Sequence, residues 1–199
     1  MELLARLDGS RILRGRMVTC AIRAVLGLLP LLVTLSLFAT TTPSKEYQLK
    51  AVFLFNFAMF VDWPSAAFPE PTTPFVIGVL GDDPFGPYLE DVVRGELVGN
   101  RPVEVHRYRE VAEINVCHVL FISLAEARRL KQIGGALRER RVLTVGETDE
   151  FLQSGGVIAF AVRGGKIRLK INVDAARASE LTVSSKLLRV AEVVESGRQ

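Results

Sequence analysis

Short hydrophobic runs alternate with amphipathic stretches along the chain from residue 74 onward. The runs are rich in valine and isoleucine and are bounded by glycine or polar residues, which predicts buried β-strands. These predicted strands are 74–81 (PFVIGVLG), 117–123 (CHVLFIS) and 141–147 (RVLTVGE). Residues 101–108 (RPVEVHRY) alternate with a period of two instead. That pattern predicts a half-exposed strand or an edge strand.

Helices are predicted between these strands and at the end of the chain. Residues 83–95 carry a proline near their start and a glycine at their end, as helices often do. Residues 124–140 place an apolar residue at every third or fourth position, which also predicts a helix. A last helix is predicted at 184–196, capped by Ser184 or Ser185.

The order of the predicted elements indicates the fold class. Continuous apolar strands separated by helices favour an α/β fold, with a mainly parallel sheet flanked by helices. Gly164 and Gly165 lie between two further predicted strands, which is a strong signal for an antiparallel hairpin near the C-terminus. We therefore expect a single domain over residues 43–199.

Residues 46–64 (EYQLKAVFLFNFAMFVDWP) are predicted to form a helix that is apolar on every side, with Asn56 as the one polar residue between positions 51 and 61. On such a helix Val52, Phe55 and Met59 share one stripe, which we expect to anchor the helix to the sheet.

A second stripe on the same helix consists of Phe53, Phe57 and Phe60, continued by Trp63. One sheet face cannot cover the whole circumference of a helix, so we expect this stripe to border a partner or a second subunit. The alternative is that the last helix covers it and the whole helix is core. In that case the strand at 101–108 is the next candidate for a contact surface.

Residues 1–42 have the order of a secretory signal peptide. Arginines up to Arg23 precede an apolar run at 24–38, and small residues follow. The run is short for a spanning helix and Pro30 interrupts it, so we expect cleavage after export, with an N-terminal membrane anchor as the alternative. Met17 is a candidate for the true start of translation.

The distribution of charge argues against a nucleic-acid partner. The formal net charge of +3 belongs entirely to residues 1–42, while residues 43–199 hold 20 basic and 20 acidic side chains. The predicted domain therefore has no excess positive charge with which to neutralise phosphates. After signal cleavage only Cys117 remains. It lies in a predicted buried strand, where a thiol is expected to act as a small hydrophobe.

Nothing in the residue pattern requires catalysis. His106 and His118 lie on different predicted strands, without carboxylates or cysteines at ligand spacing, so no metal site is predicted. Asp83, which precedes Pro84, is expected to cap a helix. We accordingly expect no catalytic residues and no cofactor.

A small-ligand pocket is the alternative kind of site. Ligands of open α/β sheets bind at the carboxyl ends of the strands. The residues at those ends, together with the serines of the last helix, are Gly81, Asp82, Ser123, Gly146, Glu147, Ser184 and Ser185. Glycine and polar residues at these positions are also what tight strand–helix turns require.

Seven motifs occur in order over residues 47–191: YQLKAVFLFNFAMFVDWP, PFVIGVLGDDPFG, CHVLFIS, VLTVGE, GGVIAF, KIRLKINVDAA and SSKLLRVA. With them the chain resembles the YfiR-like family of periplasmic proteins. The resemblance implies a periplasmic regulator that binds the periplasmic part of an inner-membrane diguanylate cyclase, or of a similar sensor, and represses it. It further implies control of cyclic-di-GMP signalling and biofilm formation, and relief of repression by an outer-membrane lipoprotein. A homodimer and a ligand-binding module that feeds a membrane sensor are kept as alternatives.

Overall fold

The computed structural model describes residues 43–137 and 140–194, within which six α-helices and ten strands occur. The predicted signal peptide lies outside the described residues. The helices are α1 (Lys45–Phe57), α2 (Tyr88–Val93), α3 (Leu130–Leu137), α4 (Asp149–Gln153), α5 (Val173–Ala178) and α6 (Ser185–Leu188). The strands are β1 (Val61–Asp62), β2 (Phe75–Leu80), β3 (Leu97–Val98), β4 (Arg101–Tyr108), β5 (Val119–Ile122), β6 (Leu143–Gly146), β7 (Ile158–Arg163), β8 (Lys166–Asn172), β9 (Thr182–Val183) and β10 (Glu192–Val194).

Eight of these strands form one sheet in the order β10-β8-β7-β6-β5-β2-β4-β3. The five strands from β7 to β4 in this order are parallel to one another, and β8 pairs antiparallel with β7. The predicted α/β class, the mainly parallel sheet and the hairpin near the C-terminus are confirmed. Gly164 and Gly165 supply the hairpin turn with φ of 58° and 71°, which is the left-handed backbone that a two-residue turn requires.

The last predicted helix is much shorter than expected. Helix α6 ends at Leu188, and residues 192–194 form β10, which pairs parallel with β8 at the edge of the sheet. The two valines of β10 favour a strand, and pairing satisfies backbone groups that β8 would otherwise expose. Ser184 is the cap, because its hydroxyl accepts a hydrogen bond from the backbone N–H of Leu187 at 3.4 Å.

The two faces of the sheet carry separate hydrophobic cores. Helix α1 covers one face through Ala51, Leu54 and Phe57, which pack with Phe160 and the inward side chains of β2, β5 and β6. Helices α3 and α4 cover the other face, mainly through Ile133, Leu137 and Phe151. Burial on both faces explains why the parallel strands read as continuous apolar runs.

The predicted orientation of α1 is wrong. Phe57, which was expected to face a partner, is 1% exposed, and its ring lies 6.0 Å from that of Phe160 on the sheet. Met59, which was expected to anchor the helix, is 62% exposed. Because the helix is apolar all round, its periodicity does not indicate which stripe faces the sheet. The small side chains of Ala51 and Ala58 let the inward stripe approach the sheet closely.

The predicted helix at 46–64 also ends earlier than expected. Residues 61 and 62 form β1, which pairs antiparallel with β9, so that Val61 lies opposite Val183. The backbone N–H of Ser184 donates to the carbonyl oxygen of Phe60 at 2.8 Å and extends this pairing. The helix ends here because Val61 is β-branched and favours a strand, and because Pro64 disfavours a helical conformation for Trp63 before it.

Strand β4 is half-exposed, as predicted. It pairs with β2 over residues 103–108, but the two-residue strand β3 covers only Arg101 and Pro102 on its other side. Gly81 donates to the carbonyl of Tyr108 on the β2 side, while Val103 donates to Glu96 on the β3 side. Backbone groups alternate in direction along a strand, so those of Val105 and Arg107 point away from β2. On that side of β4 no described strand pairs with them.

We expect Phe57→Ala to lower the free energy of unfolding by about 3–5 kcal/mol, because it empties a buried aromatic site between α1 and the sheet. Met59→Ala, two residues further on, removes an exposed side chain and should change stability by less than about 0.5 kcal/mol. Urea denaturation of both variants measures the difference. Equal losses would contradict the orientation of α1.

Candidate functional site

Three of the predicted pocket residues meet at the carboxyl ends of β2 and β5. The backbone N–H of Asp82 donates to the hydroxyl of Ser123 at 3.1 Å. Gly81 has a φ of 86°, and a Cβ at this position would lie 2.6 Å from the same hydroxyl. These residues bind one another across the strand ends, and the arrangement is that of two tight turns in contact.

The other predicted pocket residues lie elsewhere. Gly146 packs under Phe151, whose ring would lie 2.5 Å from an added Cβ. Ser184 and Ser185 begin α6 beside β1, and Trp63, which follows β1, donates its indole N–H to the carbonyl of His118 at 3.2 Å. His118 directly precedes β5, so this contact is at the amino ends of the strands. The structure therefore does not bring the two serines together with Ser123.

Glu147, at the carboxyl end of β6, belongs to a buried ion pair. Lys50 of α1 is 2% exposed, and its ammonium lies 2.5 Å from Oε1 of Glu147 and also contacts Glu46. The hydroxyl of Tyr47 donates to Oε2 of Glu147 at 3.3 Å. Burial acts to lower the pKa of Lys50, but the hydrogen bonds to Glu147 and Glu46 outweigh it and raise the pKa. The ammonium therefore stays charged and tied to the sheet.

Sequence reasoning missed Lys50. Lys50 is the one lysine in the predicted helix at 46–64, and this isolated charge could have indicated a buried ion pair, since burying an ammonium requires a nearby carboxylate. Its partner is about a hundred residues away in sequence, so only the fold brings the two together.

The carboxylate of Asp83 stabilises a turn and also forms an ion pair. Its Oδ1 accepts hydrogen bonds from the backbone N–H groups of Phe85 at 2.8 Å and Gly86 at 3.3 Å. Its Oδ2 lies 2.8 Å from Nε of Arg107, which also pairs with Glu90. Asp83, which was predicted to cap a helix, therefore caps the turn that precedes α2. The N-cap residue of α2 itself is Pro87.

His118 lies in an aromatic cluster at the amino ends of β2 and β5. Its ring stacks between Phe68 and Phe75, with centroids 4.4 Å and 4.9 Å away. Nδ1 accepts the backbone N–H of Val76 at 3.0 Å, and Nε2 donates to the carbonyl of Ala67 at 3.2 Å. Both nitrogens are satisfied in the neutral form, so the histidine ties the segment after β1 to the sheet.

Cys117 occupies the opposite face from its neighbour His118, as alternation along a strand requires. It is buried in the second core, and its thiol donates to the carbonyl of Val119 at 3.2 Å. Burial raises the pKa of the thiol to about 12. This environment holds the sulfur protonated and inaccessible, as expected for a structural cysteine.

The predicted partner stripe is divided by the orientation of α1. Phe53 is half-buried, 5.9 Å from the ring of Phe160, and Phe57 is core. Phe60 is half-buried against the same core, and Trp63 packs edge-on against Phe75 at 5.0 Å. The exposed apolar side chains of this region are instead Leu49, 47% exposed, and Met59.

A groove of about 1070 Å³ lies on the second face of the sheet, between α3, α4 and α5. Its apolar wall includes Ile122, Leu130 and Phe151, and Lys170 lies within it, with its ammonium 2.6 Å from Asp149. None of the residues predicted for the pocket lines it. Helix α3 contributes Gly134, where an added Cβ would lie 2.8 Å from the carbonyl oxygen of Ser154, and Gly135, which has open space beside it.

In the part of the chain that the structure describes, no three histidine, cysteine or carboxylate side chains are grouped as metal ligands. Within the same residues, no helix has the length and hydrophobicity needed to cross a membrane.

A family model described as YfiR/HmsC-like matches residues 47–192. The chain belongs to the YfiR/HmsC-like family. Proteins of this family are periplasmic and generally regulatory and non-catalytic. No curated protein matches the chain in sequence.

Two solved structures are similar to this YfiR/HmsC-like chain, and both are distant from it in sequence. A conserved domain protein from Vibrio cholerae is 10% identical with a TM-score of 0.50, covering 74% of this chain and 59% of that one. An ABC domain in complex with L-Trp from Streptococcus pneumonia is 12% identical with a TM-score of 0.49, covering 74% and 60%. The chain thus spans about three fifths of the length of these structures. At 10% identity the likeness to the Vibrio cholerae protein concerns the fold alone.

We expect stability to fall as the pH drops from about 6.5 towards 4. Burial, together with the charge of Arg101, lowers the pKa of His118 to about 4 against the opposing hydrogen bond to Ala67. The unfolded chain, with an ordinary histidine pKa of about 6.5, therefore binds the proton first. The loss should reach about 3 kcal/mol at pH 4.

An NMR titration of the His118 ring, combined with urea denaturation at each pH, measures this loss. His118→Gln should remove the part of the pH dependence that belongs to this residue, and His106→Gln, on an exposed strand, should not. A titration midpoint of His118 near 6.5 would contradict the description of its site.

Proposed function

We propose that this protein is a non-catalytic periplasmic repressor of an inner-membrane diguanylate cyclase. The observation that supports this most is the family match over residues 47–192. In this proposal residues 1–42 are a signal peptide that is removed on export. The folded domain then binds the periplasmic part of the cyclase and lowers cyclic-di-GMP synthesis, and an outer-membrane lipoprotein relieves the repression.

Strand β4 is the surface that we propose for the cyclase. Phe57 is buried in the core and cannot contact a partner. The backbone groups of Val105 and Arg107, by contrast, point away from β2 and have no described strand beside them. An extended segment of a partner can add to such an edge through main-chain hydrogen bonds. The side chains of Glu104 and His106, which contact each other at 3.0 Å, lie exposed on the same strand and would set specificity.

Two proline variants test this surface in cells that carry the cognate cyclase. Val105→Pro removes an outward N–H, so the protein should fold, yet fail to lower cyclic di-GMP in a strain that lacks the wild-type gene. Glu104→Pro is the matched control, because it removes an N–H that points towards β2 and should unfold the sheet. Circular dichroism shows whether each variant is folded, so that a loss of repression by a folded variant can be attributed to a loss of binding. Normal repression by folded Val105→Pro would exclude β4, and unchanged cyclic di-GMP on deletion of the gene would exclude the repressor function.

The second candidate function is the binding of a small solute, which the groove beside α3 favours. Its volume is that of known ligand sites, and it combines an apolar wall with the Lys170–Asp149 pair. In this proposal a solute in the groove tunes the regulator or informs a membrane sensor.

A thermal-shift screen of small organic solutes tests the groove. We expect a binding solute to raise the melting temperature of the wild-type protein and not that of Gly135→Trp, since Gly135 lines the groove and has room for a side chain. Leu97→Trp, at an exposed site outside the groove, is the control and should keep the shift. A shift that survives Gly135→Trp would place the solute elsewhere.

A further inference from the structure

The hairpin of β7 and β8 projects beyond the sheet as a two-stranded ribbon. Strand β7 pairs with β6 only at residues 158 and 159, and β10 pairs with β8 only at residues 170–172. Residues 160–169, which we call the basic ribbon, therefore pair only with each other among the described strands. At about 3.3 Å per residue the ribbon extends roughly 13 Å past its last pairing with β6.

The charge of the ribbon has one sign. Residues 43–199 as a whole are neutral, but positions 151–173 hold four basic residues and no acidic one. The four are Arg163, Lys166, Arg168 and Lys170. The cross-strand pairing and the alternation of side chains along a strand place all four on one face of the hairpin.

Acidic neighbours neutralise only part of this charge. The ammonium of Lys170 lies 2.6 Å from a carboxylate oxygen of Asp149. A second carboxylate, that of Glu192, lies 3.5 Å from Arg163 and 3.9 Å from Lys170. Two carboxylates thus face four cations, and the outer part of the ribbon keeps an excess of positive charge in solvent.

The two cations beside the turn are placed at a cost to the hairpin. Arg163 and Lys166 are direct cross-strand partners, and like charges at such positions destabilise a pair of strands. The stability of the fold therefore does not account for this pair. Departures from a local rule of this kind are expected at functional positions. A negatively charged surface that covers both side chains would remove the repulsion.

We propose that the basic ribbon binds the anionic phospholipid headgroups of the inner membrane. Two features favour a lipid surface over an acidic protein segment. Val162, beside Arg163, is 50% exposed and can enter the headgroup layer while the cations stay among the phosphates. A further cation, Lys45, is exposed at the start of α1, and Lys50 of the same helix reaches Glu147 at the edge from which the ribbon projects.

Binding of this kind holds the protein at the membrane without a tight site. Each lysine or arginine near an anionic surface strengthens binding about fivefold, so three of them supply about a hundredfold. The attraction is reversible and screened by salt. It would concentrate a regulator beside a membrane partner, but it requires only the periplasmic location of the family and not the repressor function.

Cosedimentation of protein purified from the periplasm with lipid vesicles tests the proposal. We expect binding to phosphatidylcholine vesicles that contain about 30% phosphatidylglycerol, and at least about tenfold weaker binding to phosphatidylcholine alone. Raising the salt from about 50 mM to about 300 mM should release the protein. Equal binding to both kinds of vesicle, which an uncleaved apolar run at 24–38 would give, would overturn the proposal. Binding of poly-glutamate without binding of vesicles would assign the ribbon to an acidic protein segment instead.

Three variants separate the ribbon from the charge of the whole protein. Lys166→Glu turns the cross-strand pair with Arg163 into opposite charges, so the melting temperature should stay or rise while vesicle binding falls at least about tenfold. Arg168→Gln introduces no new charge and should weaken binding about fivefold. Lys186→Glu, exposed in α6 at the opposite edge of the sheet, is the control and should leave binding unchanged. Equal losses in Lys166→Glu and Lys186→Glu, or full binding by folded Lys166→Glu, would contradict a role of the ribbon.

Discussion

The buried ion pair between Lys50 and Glu147 fixes how α1 lies on the sheet. A helix that is apolar on all sides can pack through any stripe, and hydrophobic burial alone distinguishes poorly between the choices. An ammonium placed beneath the helix has no such freedom, because it is stable there only beside a carboxylate. Lys50 reaches Glu147 at the end of β6, and the residues in line with it, Leu54 and Phe57, are therefore the ones that enter the core.

This orientation decides which surfaces remain for partners. Once Phe57 lies on Phe160, the opposite side of the helix must carry Leu49 and Met59 into solvent. At the other end of α1, Trp63 and His118 hold the extended segment that follows β1 against the amino ends of the strands. The helix is thus secured to the sheet by charge at one end and by aromatic packing at the other.

The polar residues of this YfiR/HmsC-like chain serve mainly to hold turns and ends in place. Ser123, Asp83 and His118 each satisfy backbone groups of neighbouring segments, and the thiol of Cys117 is closed off in the second core. The surface that we propose for the membrane cyclase is the open edge of β4, where the backbone groups of Val105 and Arg107 face no described strand.

The class of the fold and much of its detail follow from local patterns of residues. Continuous apolar strands required a parallel sheet covered on both faces, the Gly164–Gly165 pair required a hairpin, and the alternation at 101–108 required a half-exposed strand, because each of these signals is local. The YfiR-like resemblance rested on motifs of the same local kind. Three features emerged only in the folded protein: the rotation of α1, the strand at residues 192–194 and the partner of Lys50. Each of these depends on a contact between segments far apart in the chain, which local periodicity does not encode.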